Sequence, residues 1–216
     1  MGADDFITMV FVEGLGARYI ELGDDFRFGN SREGDFEYAQ QFAEQYNYQV
    51  ERTETVTIDG ARVSSTRIRE ALLAGDFADV ERLLGRSFTL TGRVEYGQQL
   101  GRTLGCPTAN IRIERLRSPL SGVYAVRVDG PQLAGIAGVA NVGTRPTVSD
   151  GTRANLEVHL IDRTENLYGK RLTVRFMHKL REEKKFDSLD ALKAAIDADI
   201  HAARNWLASH PVDTDR

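Results

Sequence analysis

Residues 97–110 read Gly-Gln-Gln-Leu-Gly-Arg-Thr-Leu-Gly-Cys-Pro-Thr-Ala-Asn, with glycines at Gly97, Gly101 and Gly105. Glycines so spaced let a backbone approach a ligand and offer its N–H groups to phosphate oxygens. Arg102 adds a cation where a lysine would be the usual choice. Pro107 fixes the entry into a strand, so that Thr108 and Asn110, two apart, project from one face. A hydroxyl beside an amide oxygen is a pair of hard ligands suited to magnesium, which keeps waters and takes one or two protein ligands plus substrate phosphates. A glycine hairpin with a polar strand face is the plainer reading of the same residues.

Three further segments carry potential chemistry. In Asn155-Leu156-Glu157-Val158-His159-Leu160 the alternation puts the apolar residues on one face and Glu157 with His159 on the other. A solvated face is the default, but a Glu157 within reach of a substrate hydroxyl would act as general base in phosphoryl transfer. Residues 180–186, Leu-Arg-Glu-Glu-Lys-Lys-Phe, form a charged cluster that reads either as a ligand contact or as a solvated connector. Ser64-Ser65-Thr66-Arg67-Ile68-Arg69 opens a helix with hydroxyls and two arginines, which suits phosphate, although simple capping is commoner. Other chemistries are excluded. There is no G-x-x-x-x-G-K-[ST], and the first lysine is Lys170; Gly14-Leu15-Gly16 lacks the third glycine of a dinucleotide fingerprint; and the four histidines, at 159, 178, 201 and 210, have no metal spacing.

Around these residues the elements fall into two textures. Apolar residues at near-helical spacing over 4–12, a strand over 18–22, a Gly/Asp/Arg loop over 23–35, a helix from Phe36 and a strand over 49–58 predict α/β alternation, with two more helices ending at Gly85. After it come short β runs at 88–95, 109–113, 122–128, 134–142, 156–161 and 172–178, which predict a six-stranded antiparallel barrel. Leu189, Leu192, Ile196, Ile200, Ala203 and Leu207 then mark a tail helix behind a cap at Asp187 or Ser188. Charge steps at the same place: residues 1–85 hold 8 arginines against 17 acids, residues 86–216 hold 20 bases against 15 acids. Two domains, 1–85 and 86–210, follow.

With 216 residues, 41% apolar and 28% charged, the chain has the composition of a globular protein rather than a disordered or fibrous one. The formal charge of −4 argues against a dedicated nucleic-acid binder, no run suggests a membrane span, and the single cysteine, Cys106, fits a reducing cytoplasm.

The G-R-x-L-G-x-P-T-A-N run, residues 141–147 (Asn-Val-Gly-Thr-Arg-Pro-Thr), Leu156-Glu157-Val158-His159-Leu160, Leu167-Tyr168-Gly169, and 180–186 with the helix behind it come in the order in which they occur in a known family. The chain resembles the bacterial bifunctional riboflavin kinase/FAD synthetase family. The resemblance implies a riboflavin kinase-like barrel using ATP, Mg2+ and riboflavin and releasing FMN, with no nucleic acid or membrane partner. It implies Thr108 and Asn110 as magnesium and phosphate ligands, Gly97, Gly101, Arg102 and Gly105 along ATP, Glu157 as catalytic base, and Arg181 and Glu183 as flavin contacts. Cys106 stands where the family usually has an aromatic residue. Residues 1–85 resemble the C-terminal part of the family's Rossmann-like FMN adenylyltransferase domain, with Ser65, Thr66 and Arg69 as a residual phosphate site. The G-x-F-D-G-x-H-x-G-H stretch of that domain is missing, since no histidine precedes His159. The resemblance therefore leads us to expect an active kinase with impaired adenylyl transfer to FMN. A bifunctional enzyme that also makes FAD, or a non-catalytic flavin- or nucleic-acid-binding barrel, are the alternatives; oligomeric state is left open.

Overall fold

The structure is a computed structural model; it describes residues 1–97, 101, 105–113, 118–147 and 151–211, with the backbone alone at 144–147 and 151–154. The chain divides into two compact units, Met1–Val63 and Ser64–Arg216.

In the first unit α1 (Ala3–Phe6) runs on into wide π-type turns over Ile7–Gly14. Strand β1 (Tyr19–Gly23) pairs in parallel with β2 (Gln49–Thr53), and the crossover that parallel pairing demands is supplied by α2 (Phe36–Gln41) and α3 (Ala43–Tyr46). Asp35 caps α2 by accepting from the Tyr38 N–H at 2.9 Å. Ile7, Phe11, Ile20, Leu22, Phe28 and Ala39 form this unit's core. The strand expected over 49–58 ends at Thr53; a short hairpin, β3 (Thr57–Ile58) and β4 (Ala61–Arg62), follows it, because Asp59 and Gly60 both take positive φ and turn the chain.

The second unit opens with α4 (Ser65–Ala74) and α5 (Phe77–Leu84), capped by Ser64 and Asp76 and each closed by a left-handed glycine, Gly75 and Gly85. Six strands follow: β5 (Thr89–Glu95), β6 (Ala109–Arg112), β7 (Gly122–Gly130), β8 (Leu133–Thr147), β9 (Gly151–Leu160) and β10 (Arg171–Arg181). They close into an antiparallel barrel in the order β10-β5-β6-β9-β8-β7. The interior is filled by Leu90, Val94, Ile111, Val126, Val142, Leu156, Val158, Leu172 and Val174. Phe77 of α5 packs edge-on to Tyr124 at 5.8 Å and stacks on Phe176 at 6.2 Å. Leu72, Phe77 and Val80 thus belong to the barrel core. The compact division accordingly falls before α4, whereas the change of sequence texture suggested residue 85. Tyr124 donates to the Ser121 carbonyl at 2.6 Å, and burial pushes its phenol up to about 12.

The last helix, α6 (Leu189–Ser209), is capped by Ser188, whose hydroxyl accepts from the Ala191 N–H at 3.1 Å. Ile200, Ala203, Trp206 and Leu207 cover the outside of the barrel against Ala125, Val139, Met177 and Leu180. This is why β7 is buried on both faces along most of its length. Trp206 is sandwiched between His178, at 4.9 Å, and His210, at 4.0 Å; desolvation and the neighbouring His210 both lower the His178 pKa from its ordinary value. A polar tie completes the seam: Nε and Nη2 of Arg181 donate to the Asp199 carboxylate at 2.9 and 2.7 Å, and only 8% of Asp199 is exposed. Bidentate pairing is what makes a charge tolerable at that depth. Asp199→Ala is expected to cost about 1.5–3 kcal/mol, because it removes charged hydrogen bonds and leaves the half-buried guanidinium short of a partner. The melting temperature followed by circular dichroism should fall by about 5 °C or more.

Candidate functional site

Alternation along β9 sends Leu156, Val158 and Leu160 into the barrel and Asn155, Glu157 and His159 to its outer face. The register then builds a row across three strands: Asn110 on β6 pairs with Glu157 on β9, and Glu157 with Asn141 on β8. Side chains directly opposite on adjacent strands share a face and stand about 5 Å apart at Cβ. Asn155 Nδ2 donates to Glu157 Oε1 at 2.9 Å, which orients the carboxylate. His159 Nδ1 lies 2.9 Å from the Pro107 carbonyl oxygen, one residue before Thr108.

The glycines of the 97–105 segment have specific neighbours. A Cβ on Gly97 would overlap the Asn110 amide, so only glycine lets the end of β5 pass over that side chain. The Cys106 N–H donates to the Gly101 carbonyl at 2.8 Å, closing a turn in which Gly105 takes φ +78°. Arg102 lies outside the described residues. Within this cage Asn110 Oδ1 is buried and has no hydrogen-bond partner among the described residues. A buried oxygen without a donor is costly unless something else satisfies it. A hard cation accepted jointly with the Thr108 hydroxyl fits the donor set.

Two cavities lie nearby, and one of them includes Asn141 and Glu157 of this row. One, of about 360 Å³, opens at the barrel mouth among Val94, Thr108, Ala109, Val158, Asn166 and Tyr168. The other, of about 220 Å³, lies between the outer face of the sheet and α6, with Glu157, Arg181, Glu183, Phe186 and Ile196 in its wall. Thr108 lines both. Arg181 and Glu183 therefore line the same cavity as Glu157 and Thr108. Arg181 is held there by Asp199 and lies 5.5 Å above the Phe186 ring, and Glu183 abuts Gly143, where a Cβ would collide with its carboxylate. Cys106 lines the second cavity as an inert group, since burial pushes its thiol pKa up. Ser65, Thr66 and Arg69 are exposed on the first turns of α4, where Ser64 supplies the cap.

Sequence reasoning missed Asn141 and Asn155 as partners of Glu157, and Asp199 as the anchor of Arg181. Asp199 left a signal: it interrupts the apolar stripe Ile196, Ile200, Ala203, and an acid at a core position calls for a buried cation. The asparagines left none, because their roles depend on which strands become neighbours.

Thr108 is thus common to the two cavities, and Glu157 lines one of them. Residues 84–207 match the riboflavin kinase family model and residues 1–67 the FAD synthetase model, so the chain belongs to the riboflavin kinase family, in its arrangement with an FAD synthetase segment ahead of the kinase. It is 52% identical over 210 residues to the bifunctional riboflavin kinase/FMN adenylyltransferase of Pseudomonas fluorescens, covering 96% of this chain and 67% of that protein. For the same enzyme of Escherichia coli K12 the identity is 46% over 205 residues, covering 95% of this chain and 65% of that one. The chain thus spans about two thirds of the length of these relatives. A crystal structure from Streptococcus pneumoniae, described as a macrolide-efflux protein, superposes with a TM-score of 0.68 at 32% identity, over 95% of this chain and 66% of that one. Among the described residues no helix is long and apolar enough to cross a membrane.

The crowding at Gly97 gives a direct test of the cage around Asn110. Gly97→Ala is expected to displace that side chain and weaken binding of Mn2+ with ADP about tenfold, about 1.4 kcal/mol, in a titration followed by electron paramagnetic resonance. The melting temperature should change much less, because the collision is with a side chain at the barrel rim.

Proposed function

We propose that this chain transfers the γ-phosphoryl group of ATP to the 5′-hydroxyl of riboflavin, giving FMN and ADP. The observation that carries the reading is Thr108 in the wall of two cavities, one of which also contains Glu157. The cavity under α6 suits a flavin: Val123, Val139, Ile196 and Ile200 offer an apolar wall for a flat ring, while Arg181, Glu183 and Lys184 supply polar contacts at its edge. The barrel-mouth cavity suits the nucleotide, with its phosphates toward Thr108, beside which Gly101 lines the other cavity.

In this mechanism Glu157 takes the proton of the ribityl 5′-hydroxyl as that oxygen bonds to the γ-phosphorus, and the bond to the β,γ-bridging oxygen breaks to release ADP. Asn155 holds the carboxylate in place by donating from its amide nitrogen to one oxygen. Thr108 and Asn110 would hold Mg2+, which neutralises phosphate charge when bound. A flavin seated against the α6 wall would displace water there and so limit transfer to water. Such an enzyme belongs in the cytoplasm, where ATP is supplied.

Chromatography of the purified chain with riboflavin, ATP and Mg2+ should show FMN, and a chain that binds flavin without forming FMN would be a binding module instead. Glu157→Gln is expected to lower kcat about 100-fold or more while leaving nucleotide affinity intact.

The match of residues 1–67 to the FAD synthetase model favours a second reading, adenylyl transfer to FMN. That reaction needs donors placed at the α-phosphate before charge develops there. The family resemblance assigns them to a histidine-bearing stretch absent from these 216 residues, and Ser65, Thr66 and Arg69 do not replace it. A polypeptide of these residues given FMN, ATP and Mg2+ is therefore expected to form FMN from riboflavin but no measurable FAD from FMN. FAD formed at a rate comparable to FMN would restore the bifunctional reading.

A further inference from the structure

We propose that His159 is a positioning residue, which fixes the Thr108 hydroxyl relative to the Glu157 carboxylate by holding the carbonyl of the Pro107–Thr108 peptide. The β6–β9 ladder begins at Ala109, paired with Val158, and runs from there to Arg112. Pro107 and Thr108 therefore lie just before the paired stretch, and Pro107 has no N–H to donate. What reaches them is a side chain: His159 Nδ1 at 2.9 Å from the Pro107 oxygen. A carbonyl can only accept, so the ring donates through Nδ1.

The histidine is itself well seated. Its backbone pairs with Val139 on β8, and Gly138 passes so near its carbonyl that a Cβ there would stand 2.8 Å from the oxygen. His159 also shares the outer face of β9 with Glu157, two residues away, so the strand that carries the base holds the segment that carries Thr108. Because a peptide is planar, fixing the Pro107 oxygen fixes the Thr108 nitrogen and much of the direction in which Thr108 leaves the chain. From the other side Gly101 crowds it: a Cβ there would lie 3.3 Å from Thr108 Oγ1. The His159–Pro107 hydrogen bond thus extends the β6–β9 tie by one residue, to the peptide that precedes Thr108. An error of about 1 Å in such a relation can cost a factor of about 100 in rate.

The inference rests on the kinase reading, and its test separates the two. In His159→Leu the bond is lost; in His159→Asn the amide nitrogen takes the place of Nδ1, one bond beyond Cγ in both side chains, and the bond is kept. His159→Leu is expected to lower kcat about tenfold or more and to raise the Mg2+ concentration for half-maximal rate, with His159→Asn restoring most of the rate. Mn2+ binding in the presence of ADP, followed by electron paramagnetic resonance, should weaken in the leucine variant and recover in the asparagine variant. An asparagine variant as slow as the leucine variant would overturn the proposal, because the ring itself would then be acting on substrate. Unchanged kcat and Mn2+ affinity in the leucine variant would overturn it equally. Should leucine unfold the barrel, His159→Gln, which sets its amide one bond too far, takes its place against asparagine. If the native chain forms no FMN the kinase reading fails, and the Mn2+ comparison alone decides the role of His159.

Discussion

Strand β9 cannot choose independently what it shows to the core and what it shows to solvent. Leu156, Val158 and Leu160 fill the barrel interior, and the pleat then sets Asn155, Glu157 and His159 on the outside, two residues apart. A slip of one residue would bury a carboxylate and an imidazole and expose three aliphatic side chains, so core packing holds the register of the chemistry. The neighbours on either side inherit that register. Asn110 and Asn141 meet Glu157 because the ladders β6–β9 and β9–β8 are in step with it.

The outer face of a small barrel ordinarily meets water, and a carboxylate there would be one surface charge among many. Here α6 lies over part of that face and converts it into the wall of a cavity. The same strands therefore serve two compartments, an apolar interior that opens at the mouth and a covered exterior, with Thr108 at the boundary. Arg181 ties the covering helix to the barrel through Asp199 while standing in the cavity wall, so the stability of the lining and its shape share one ion pair.

Period-2 alternation and turn residues make the six strands and the tail helix readable in the sequence, and the Thr108–Asn110 and Glu157 faces with them. Strand order was beyond reach. No local pattern says that β9 lies between β6 and β8, and without that order Asn141 and Asn155 are anonymous polar residues. Residues 64–85 were assigned by texture to the first domain, yet the apolar face of Leu72, Phe77 and Val80 belongs to the barrel core. A helix shows in its sequence that one face is apolar, not which core will take it. The strand expected over 49–58 failed for a local reason, two consecutive left-handed residues at Asp59 and Gly60 that make a hairpin of its end.

Closure of the barrel by β10 has a consequence for the order in which the molecule can assemble. Strand β10 pairs with β5 at one edge and β7 at the other, and both pairings are remote in sequence. On a ribosome, which delivers the N-terminal portion first, β5 to β9 emerge with two open edges and wait for the last strand. Such edges are templates for pairing with other chains until they are covered. The non-local contacts also make closure slow compared with a helical bundle of similar size. Arg181 and then α6 follow the closing strand, so the wall of the cavity under α6 is made only after the six strands. A ligand that needs that wall binds only barrels in which it has formed and adds its binding free energy to them alone, drawing newly made barrels toward the closed state.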